Sequence, residues 1–333
     1  MPSSNRRVLL AAALPLALAA CDKASPEPPT RAKSPVSAAP LAFAPSAAPV
    51  APSAPTRLPA PARLVAVGDL HGDLDATRAA LRLAGAIDDR DHWSGGKLVL
   101  VQTGDQLDRG DGEHAILDLL DRLTDEARAA GGAVIALDGN HEVMNVQLDF
   151  RYVTDAGLKD FGELPGAGAN DARLLQLPEA QRARAAAFLP GAPIARRLAR
   201  RGVVALVGDT VFVHGGLLPK HVRYGLDRMN REVSAWMDGS ARELPALVTG
   251  EDGPIWLRRY SAAADAEDCR VLAETLAMIP ARRMVVGHTV QRGGISPACG
   301  GQVWRIDVGL ARFYGGKTEV LEIAGDAVRA IGR

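Results

Sequence analysis

Short apolar runs of four or five residues, each followed directly by glycine and polar residues, recur along the chain from residue 64 onward. Runs of this length between turn residues are typical of buried strands. The first three lie at residues 64–67, 98–102 and 133–137, and helix-like patterns at 73–83 and 113–130 separate them. A strand-loop-helix unit repeated in this way predicts a βαβαβ sheet with helices on its faces.

The periodicity changes after about residue 144. Residues 144–201 follow a helical and irregular pattern, which predicts an insertion or cap beside the site. Its basic end, 196–201, could bind an anionic partner, although a solvated helix end is the simpler interpretation. A helix is predicted over 221–237. Later strands, of which the first two form a hairpin, are predicted at residues 203–207, 210–213, 284–286, 303–308 and 320–323.

A polar loop follows each of five apolar runs, and the loop after the second run carries the most charge. In Gly104-Asp105-Gln106-Leu107-Asp108-Arg109-Gly110, two carboxylates and a guanidinium share one tight turn. A solvated turn would explain it, but buried charges must be paired or bound to metal. Open α/β sheets bind their ligands at this end of the strands. The loop is therefore a candidate site.

Together the five loops offer oxygen and imidazole ligands and no thiolate. One such histidine is usually structural, and we interpret His92, His114 and His221 in that way. Four histidines in these glycine-containing loops, together with the carboxylates there, instead predict a metal site for ions such as manganese, iron or zinc. The candidate ligands are Asp69, His71, Asp105, Asn140, His214 and His288.

The ordered motifs GDLHG, GDQLDRG, GNHE, VHGG and GH closely resemble those of calcineurin-like metallophosphoesterases of the PPP phosphatase type, across about residues 64–323. The segments GNHEVMNVQLDFRY and GPIWLRRY are most similar to the bacterial and organellar Shewanella-like protein phosphatases. The resemblance implies an α/β metallophosphoesterase fold, in which helices flank a central β-sandwich and residues 144–201 form a helical cap insertion.

The resemblance also implies two divalent metal ions, with manganese expected and iron or zinc as alternatives. Asp69 and His71 would bind one ion, and Asp105 would bridge both. The ligands of the second ion would be Asn140, His214 and His288.

Four further residues take roles from the same resemblance. His141 would be the general acid that protonates the leaving-group oxygen, and Asp108 would orient it. Arg109 matches the arginine that grips the substrate phosphate, and Arg258 is the expected second one, although the adjacent Arg259 could take its place.

Two nearby side chains, Tyr314 and Glu142, are interpreted separately. Tyr314 stands in the late loop where eukaryotic PPP enzymes carry an active-site tyrosine, and it either matches that residue or only packs. Glu142 is interpreted as an acid in the first turn of a helix, where the helix dipole favours it.

These roles imply direct hydrolysis of a phosphomonoester, without a covalent enzyme intermediate. Two cations about 4 Å apart would share a bridging hydroxide that attacks the phosphorus. The expected substrates are proteins phosphorylated on tyrosine or on serine and threonine. Two alternatives remain open: a phosphoesterase for dinucleoside polyphosphates or other small molecules, and a non-catalytic metal-binding lipoprotein.

The first 61 residues differ in composition from the rest. Residues 1–20 read as a secretory signal, with Arg6 and Arg7 before an apolar run too short to span a bilayer. The segment LAAC resembles a lipobox, which implies that Cys21 is lipidated. The lipid would anchor the protein to a membrane of the bacterial cell envelope, facing the periplasm. Ordinary signal cleavage is the alternative. Residues 21–61, rich in proline and alanine, predict a disordered tether before a catalytic domain at 62–333.

Charge and cysteine content exclude some other classes. The 39 basic and 39 acidic residues balance, so nothing in the overall charge points to nucleic acid as a partner. No CxxC pair is present, and a thiolate zinc site is not predicted. Cys269 and Cys299 could form a disulfide or remain free thiols, because spacing alone does not decide.

Overall fold

The computed structural model describes residues 55–162 and 171–332 of the chain. The predicted signal segment, Cys21 and most of the predicted tether lie outside the described residues. The strands in the described part are β1 (Arg57–Leu58), β2 (Leu64–Val67), β3 (Val99–Gln102), β4 (Ala133–Ala136), β5 (Val204–Val207), β6 (Thr210–Val213), β7 (Arg283–Val286), β8 (Ser296–Ala298), β9 (Val303–Arg305), β10 (Glu319–Ala324) and β11 (Ala327–Gly332).

Helices lie between and around these strands. Two short 3-10 turns, Cys299–Gly301 and Arg312–Tyr314, occur near the end of the chain. The α-helices of the described part are α1 (Leu74–Leu83), α2 (Glu113–Ala129), α3 (Asn140–Val146), α4 (Gly157–Asp160), α5 (Ala172–Leu175), α6 (Glu179–Phe188), α7 (Pro193–Leu198), α8 (Pro219–Tyr224), α9 (Leu226–Met237), α10 (Ala246–Thr249) and α11 (Ala266–Met278).

The strands form two sheets. One sheet has the order β11-β10-β2-β3-β4, and the other has the order β1-β5-β6-β7-β9-β8. The strands β2, β3 and β4 are parallel to one another, as the repeated strand-loop-helix unit predicts. The strands β6, β7 and β9 are also parallel to one another. Each sheet therefore has three neighbouring parallel strands whose carboxyl ends lie at one edge.

Alternate residues of the central strands face different cores. In β2, Leu64 and Ala66 pack between the two sheets, while Val65 and Val67 pack against α1 and α2. Phe212 of β6 likewise packs between the sheets. This period of two explains why β2 and β6 are apolar throughout, since both of their faces are buried. The predicted central sandwich flanked by helices is confirmed.

Several predicted boundaries need correction. The hairpin of β5 and β6 is confirmed, but the helix predicted over 221–237 is two helices, because Gly225 adopts φ 101° and ends α8. The strand predicted over 303–308 ends at Arg305. Sequence pattern also missed three short or marginal strands, β1, β8 and β11.

The ordered structure begins before residue 62. Arg57–Leu58 pairs in parallel with β5, and Thr56 is buried. The backbone N of Leu206 donates to the carbonyl O of Thr56 at 2.7 Å. A proline-rich composition obscured this pairing because it resembles that of the preceding residues.

The helices α4 to α7 lie within the predicted insertion. They have a small core of their own, formed by Phe150, Leu174, Ala185, Leu189 and Ala192. The basic run at the end of this region is paired: Arg197 donates to Asp118 at 2.8 Å and to Asp121 at 2.6 Å, both on α2. These ion pairs give the run a structural role.

Two further observations concern the whole described part. Cys269 of α11 forms a disulfide with Cys299 in the 3-10 turn after β8, which settles the question left open by spacing. Across residues 55–162 and 171–332, no helix has both the length and the apolar character needed to cross a membrane.

Candidate active site

The candidate ligands come together where the two sheets meet. Asp69, Asp105 and Asn140 follow β2, β3 and β4, whereas His214 and His288 follow β6 and β7. All five are at most 7% exposed. Because each residue lies just beyond the carboxyl end of a parallel strand, the sheet order itself assembles them at one centre.

One group of possible ligand atoms belongs to His71, Asp105 and His141, and these atoms lie within 4.8 Å of one another. The Nδ1 of His71 donates to the carbonyl O of Leu107 at 3.1 Å, which leaves Nε2 as the ring atom with a lone pair. That Nε2 lies 3.7 Å from Asp105 Oδ2 and 4.0 Å from Asp69 Oδ2. A backbone carbonyl commonly fixes a metal-binding histidine in this way.

A second group, also within 4.8 Å, belongs to Asp105, His214 and His288. His214 donates from Nδ1 to the carbonyl O of Thr103 at 2.9 Å. Its Nε2 lies 2.9 Å from Asn140 Oδ1 and 3.1 Å from Asp105 Oδ2. Asp105 therefore belongs to both groups.

The charges at this centre fit divalent cations. Burial and the nearby Asp307 raise the pKa of Asp69 well above its usual value, because three buried carboxylates lie close together. Burial lowers the pKa of His71 to about 3, so its imidazole is neutral at physiological pH. The Nε2 of His288 is buried and has no hydrogen-bond partner in the described part of the chain. Crowded carboxylates and imidazole lone pairs of this kind require positive charge.

Tight backbone turns hold the candidate ligands in place. His71, Asp105 and His288 adopt φ values of 44°, 57° and 66°, which only a minority of non-glycine residues do. A Cβ on Gly139 would lie 2.2 Å from Asp105 Oδ1, so only glycine allows this approach. Strain at several adjacent ligands is common at functional sites.

Glu142 organises the charged loop rather than facing the centre. Its carboxylate accepts hydrogen bonds from four backbone N–H groups: those of Gly139, Asp105, Gln106 and Leu107, at 2.7 to 3.2 Å. Its position in the first turn of α3 agrees with the prediction, whereas its contacts with the neighbouring loop were not predicted.

His141 and Asp108 form a buried dyad beside the centre. The Nδ1 of His141 lies 2.5 Å from Asp108 Oδ2, and its Nε2 lies 3.8 Å from Asp105 Oδ2. Burial lowers the pKa of His141, but Asp105 and Asp108 outweigh burial and raise it above its usual value. The ring can therefore hold a proton on Nε2, on the side that faces the ligands.

Arg109 lies at the mouth of the centre. Its guanidinium stacks 4.0 Å from the ring centroid of Tyr152 and 4.8 Å from that of Phe313. The same residue lines a cavity of about 500 Å³ together with His71 and Arg312. In the described residues its Nε has no acceptor. A planar cation that contacts two aromatic rings is well placed to bind an oxyanion.

The structure distinguishes the two adjacent arginines. Arg258 donates from Nη1 to the carbonyl O of His288 at 2.8 Å, so it lies beside the centre. Arg259 instead pairs with Asp268 at 2.5 Å and points toward α11. The ring of Tyr314 lies 5.2 Å from that of His71, and burial raises its pKa to about 12. Tyr314 therefore lies at the site.

Asp307 is a site residue that the sequence prediction missed. It is 2% exposed and follows β9, which is parallel to β7. Burial raises its pKa to about 6, and the backbone N of Gly309 donates to its Oδ1 at 2.8 Å. The signal available in the sequence was an aspartate within the apolar run 303–308, where a buried strand would not place one.

Comparisons with a family model, with known sequences and with solved structures show which proteins this chain is similar to. A family model described as calcineurin-like phosphoesterase matches residues 62–292. The chain is 43% identical over 303 residues to Shewanella-like protein phosphatase 2 of Arabidopsis thaliana, covering 82% of this chain and 78% of that protein. A solved structure of a cold-active protein tyrosine phosphatase superposes with a TM-score of 0.69 at 25% identity, covering 84% of this chain and 78% of that one. A protein serine/threonine phosphatase of Saccharomyces cerevisiae shares the fold, with a TM-score of 0.52 at 14% identity, covering 84% of this chain and 83% of that one.

Proposed function

Because the chain belongs to the calcineurin-like phosphoesterase family, we propose that it is a metal-dependent protein phosphatase, which hydrolyses phosphomonoesters on proteins. The observation that carries the proposal is the position of Asp105, shared by two groups of ligand atoms beside the His141–Asp108 dyad. A structural ion site would need no proton donor, whereas hydrolysis of a phosphoester does.

The chain's own residues divide into two ligand sets. Asp69 and His71 would hold one divalent ion, Asp105 would be shared, and the second set would be Asn140, His214 and His288. We expect manganese, since carboxylate, amide and imidazole ligands without thiolate suit it, although iron or zinc would also fit. When bound, the ions would neutralise charge on the phosphoryl oxygens and lower the pKa of the attacking water.

His141 would act as the general acid. Asp108 accepts from Nδ1, so the transferable proton is on Nε2, which points toward the centre. That proton would pass to the leaving-group oxygen as the phosphorus–oxygen bond breaks. In this proposed reaction, no side chain of the protein acts as the nucleophile.

Arg109 and Arg258 would bind the substrate phosphate. Arg109 lines the cavity, and its guanidinium can donate two parallel hydrogen bonds to a phosphate group. Arg258 lies beside the centre, where its Nη1 donates to the carbonyl O of His288. The aromatic rings around Arg109 would hold it in place without competing for its hydrogen bonds.

Activity tests this proposal directly. Purified protein that has been stripped of metal and then given manganese should hydrolyse p-nitrophenyl phosphate. The substitution Asp105→Asn removes the shared charge and should lower kcat by about 100-fold or more. Asp125→Asn, an exposed change on α2, is the matched control and should leave kcat unchanged.

The same assay separates the competing functions. Phosphotyrosine peptides, phosphoserine peptides and dinucleoside tetraphosphate should be compared at equal enzyme concentration. Preference for a phosphopeptide supports the proposal, and preference for the tetraphosphate supports a small-molecule phosphoesterase. Folded, metal-loaded protein that hydrolyses none of them would indicate a non-catalytic metal-binding protein.

We also propose that the protein is a lipoprotein of the bacterial cell envelope, anchored through Cys21. The N-terminal pattern supports this, and so does the disulfide, since disulfides persist mainly in oxidising compartments.

A further inference from the structure

Arg184, on α6 of the inserted helices, is a charged side chain buried beneath the acid dyad. Its relative exposure is 0%. Its Nε and Nη2 donate to Oδ1 of Asn145 at 2.9 and 2.8 Å. Asn145 in turn donates from Nδ2 to Asp108 Oδ1 at 2.9 Å. One residue therefore separates Arg184 from the carboxylate that holds His141.

A second connection runs through Glu113 at the start of α2. Arg184 pairs with both carboxylate oxygens of Glu113, and its Nη2 lies 2.9 Å from Oε1. The same Oε1 accepts from the backbone N of Asp108 at 2.5 Å. The carbonyl O of Gly157 accepts from Nη1 at 2.7 Å. All five N–H groups of the guanidinium are thereby used.

The surroundings of Arg184 are apolar. Its guanidinium lies 4.8 to 5.8 Å from the ring centroids of Phe188, Phe161 and Phe150. A buried ion pair in such a setting adds little stability compared with well-packed apolar residues, because both charges lose their hydration. A role in positioning its hydrogen-bond partners therefore explains the arginine better than a contribution to stability does.

What it holds is the carboxylate of Asp108. One oxygen of this carboxylate, Oδ2, contacts His141, and the other, Oδ1, accepts from Asn145 and lies 3.6 Å from Arg184 Nη2. The backbone N of Asp108 is fixed by Glu113. Both ends of the residue are thus anchored by groups that Arg184 itself contacts.

We propose that Arg184 is a positioning residue for the general acid. It is supplied by the inserted helices and fixes Asp108 through Asn145 and Glu113, which aims Nε2 of His141 at the leaving group. This inference rests on the proposed function, because the role is defined only for phosphoester hydrolysis. The insertion thereby completes the catalytic centre.

A series of leaving groups tests the role. A general acid matters most when the leaving oxygen is strongly basic, so phenyl phosphate depends on it more than 2,4-dinitrophenyl phosphate does. Arg184→Met should lower kcat for phenyl phosphate by about 100-fold and for the dinitrophenyl ester by less than about threefold. Arg184→Lys keeps the charge but loses the forked geometry, and it should fall between wild type and Arg184→Met.

Two further variants control for folding. Arg182→Met changes a neighbouring arginine on α6 whose hydrogen bonds to residues 55–162 and 171–332 go to the carbonyls of residues 175 and 177, and it should leave the whole series unchanged. Arg184→Gln combined with Glu113→Gln removes both buried charges, so that neither remains buried without its partner. If Arg184→Met does not fold, this double variant should show the same selective loss.

A spectroscopic measurement is independent of activity and of metal. The proton between His141 Nδ1 and Asp108 should give a downfield proton NMR signal that His141→Asn removes. In folded Arg184→Met this signal should broaden or disappear, whereas in Arg182→Met it should persist.

The outcomes are distinguishable. A uniform loss of activity across the leaving groups, or no loss, overturns the positioning role, as does an unchanged His141 signal in folded Arg184→Met. Failure of the proposed function gives another result, in which wild-type protein with manganese hydrolyses none of the esters. In that case the NMR comparison alone decides whether Arg184 holds the dyad.

Discussion

Asp105 uses its two carboxylate oxygens for different purposes. Oδ1 accepts from the backbone N of His141 at 3.0 Å, which ties the backbone of the proposed acid to the loop of a candidate ligand. Oδ2 faces His214, His71 and His141 at 3.1 to 3.8 Å. One side chain thus fixes where the proposed acid lies relative to the proposed ligands.

His221 offers a pH test away from the candidate site. It is buried, its Nδ1 accepts from the backbone N of Leu218 at 2.9 Å, and burial lowers its pKa to about 4. The unfolded chain therefore binds more protons than the folded protein between pH 6.5 and pH 4. Stability supplied by the neutral ring is present above pH 6.5 and is lost as the pH falls to about 4.

His221→Gln should flatten this part of the pH profile, because glutamine at the third position of α8 can accept the same bond without titrating. Between pH 7 and pH 4, His221 should account for a loss of at most about 3 kcal/mol in the free energy of unfolding of the wild type, and this loss should be absent in the variant. Urea denaturation at several pH values measures it. Parallel profiles for the two proteins would contradict the assignment.

Some residues of the site could be predicted from the sequence, and others could not. The five ordered motifs marked Asp69, His71, Asp105 and their partners, because each stands next to a turn glycine. Arg184 could not be found in this way, since it lies 71 residues from Glu113 and 39 from Asn145 and belongs to no motif. Only the packing of α6 against α2 and α3 brings them together.

Strands and helices explain why the motifs converge. Parallel pairing of β2, β3 and β4 places three motif loops at one edge, and β6 and β7 bring two more from the other sheet. Apolar runs predicted these strands because both of their faces are buried. The pattern failed at β1, β8 and β11, which are short or exposed and carry no such run.

The disulfide links two elements outside the motifs. Cys269 lies in α11 and Cys299 in the turn after β8, 30 residues apart in sequence. The substitutions Cys269→Ser and Cys299→Ser together should lower the free energy of unfolding by about 3 kcal/mol, because the unfolded chain regains the freedom of that loop. Urea denaturation measures the loss.

A reducing agent supplies the control. It should destabilise the wild-type protein by a similar amount and leave the double serine variant unchanged. If the reductant does not change the denaturation midpoint of the wild-type protein, the disulfide does not stabilise the fold.

The family predicted from the motifs is confirmed for the molecule as a whole, and so is the sandwich fold. Membership follows from the match over residues 62–292, and the fold follows from two sheets that share a core. The lipid anchor stays a prediction, because Cys21 lies outside the described residues.

Intact mass spectrometry of protein extracted from membranes tests the anchor. The mature chain should begin at Cys21 and carry the added mass of acyl chains, since this is the product expected from the lipobox-like segment. Cys21→Ser should release the protein from the membrane fraction. An unmodified mature N-terminus in the wild type would refute the anchor.

The candidate ligands span the chain from Asp69 to His288, and both sheets contribute to them. A growing chain that has not yet reached residue 288 holds only part of the set, however well its first sheet has formed. We therefore expect the nascent chain to lack phosphatase activity at least until β7 and the loop that carries His288 have been synthesised and have joined the second sheet.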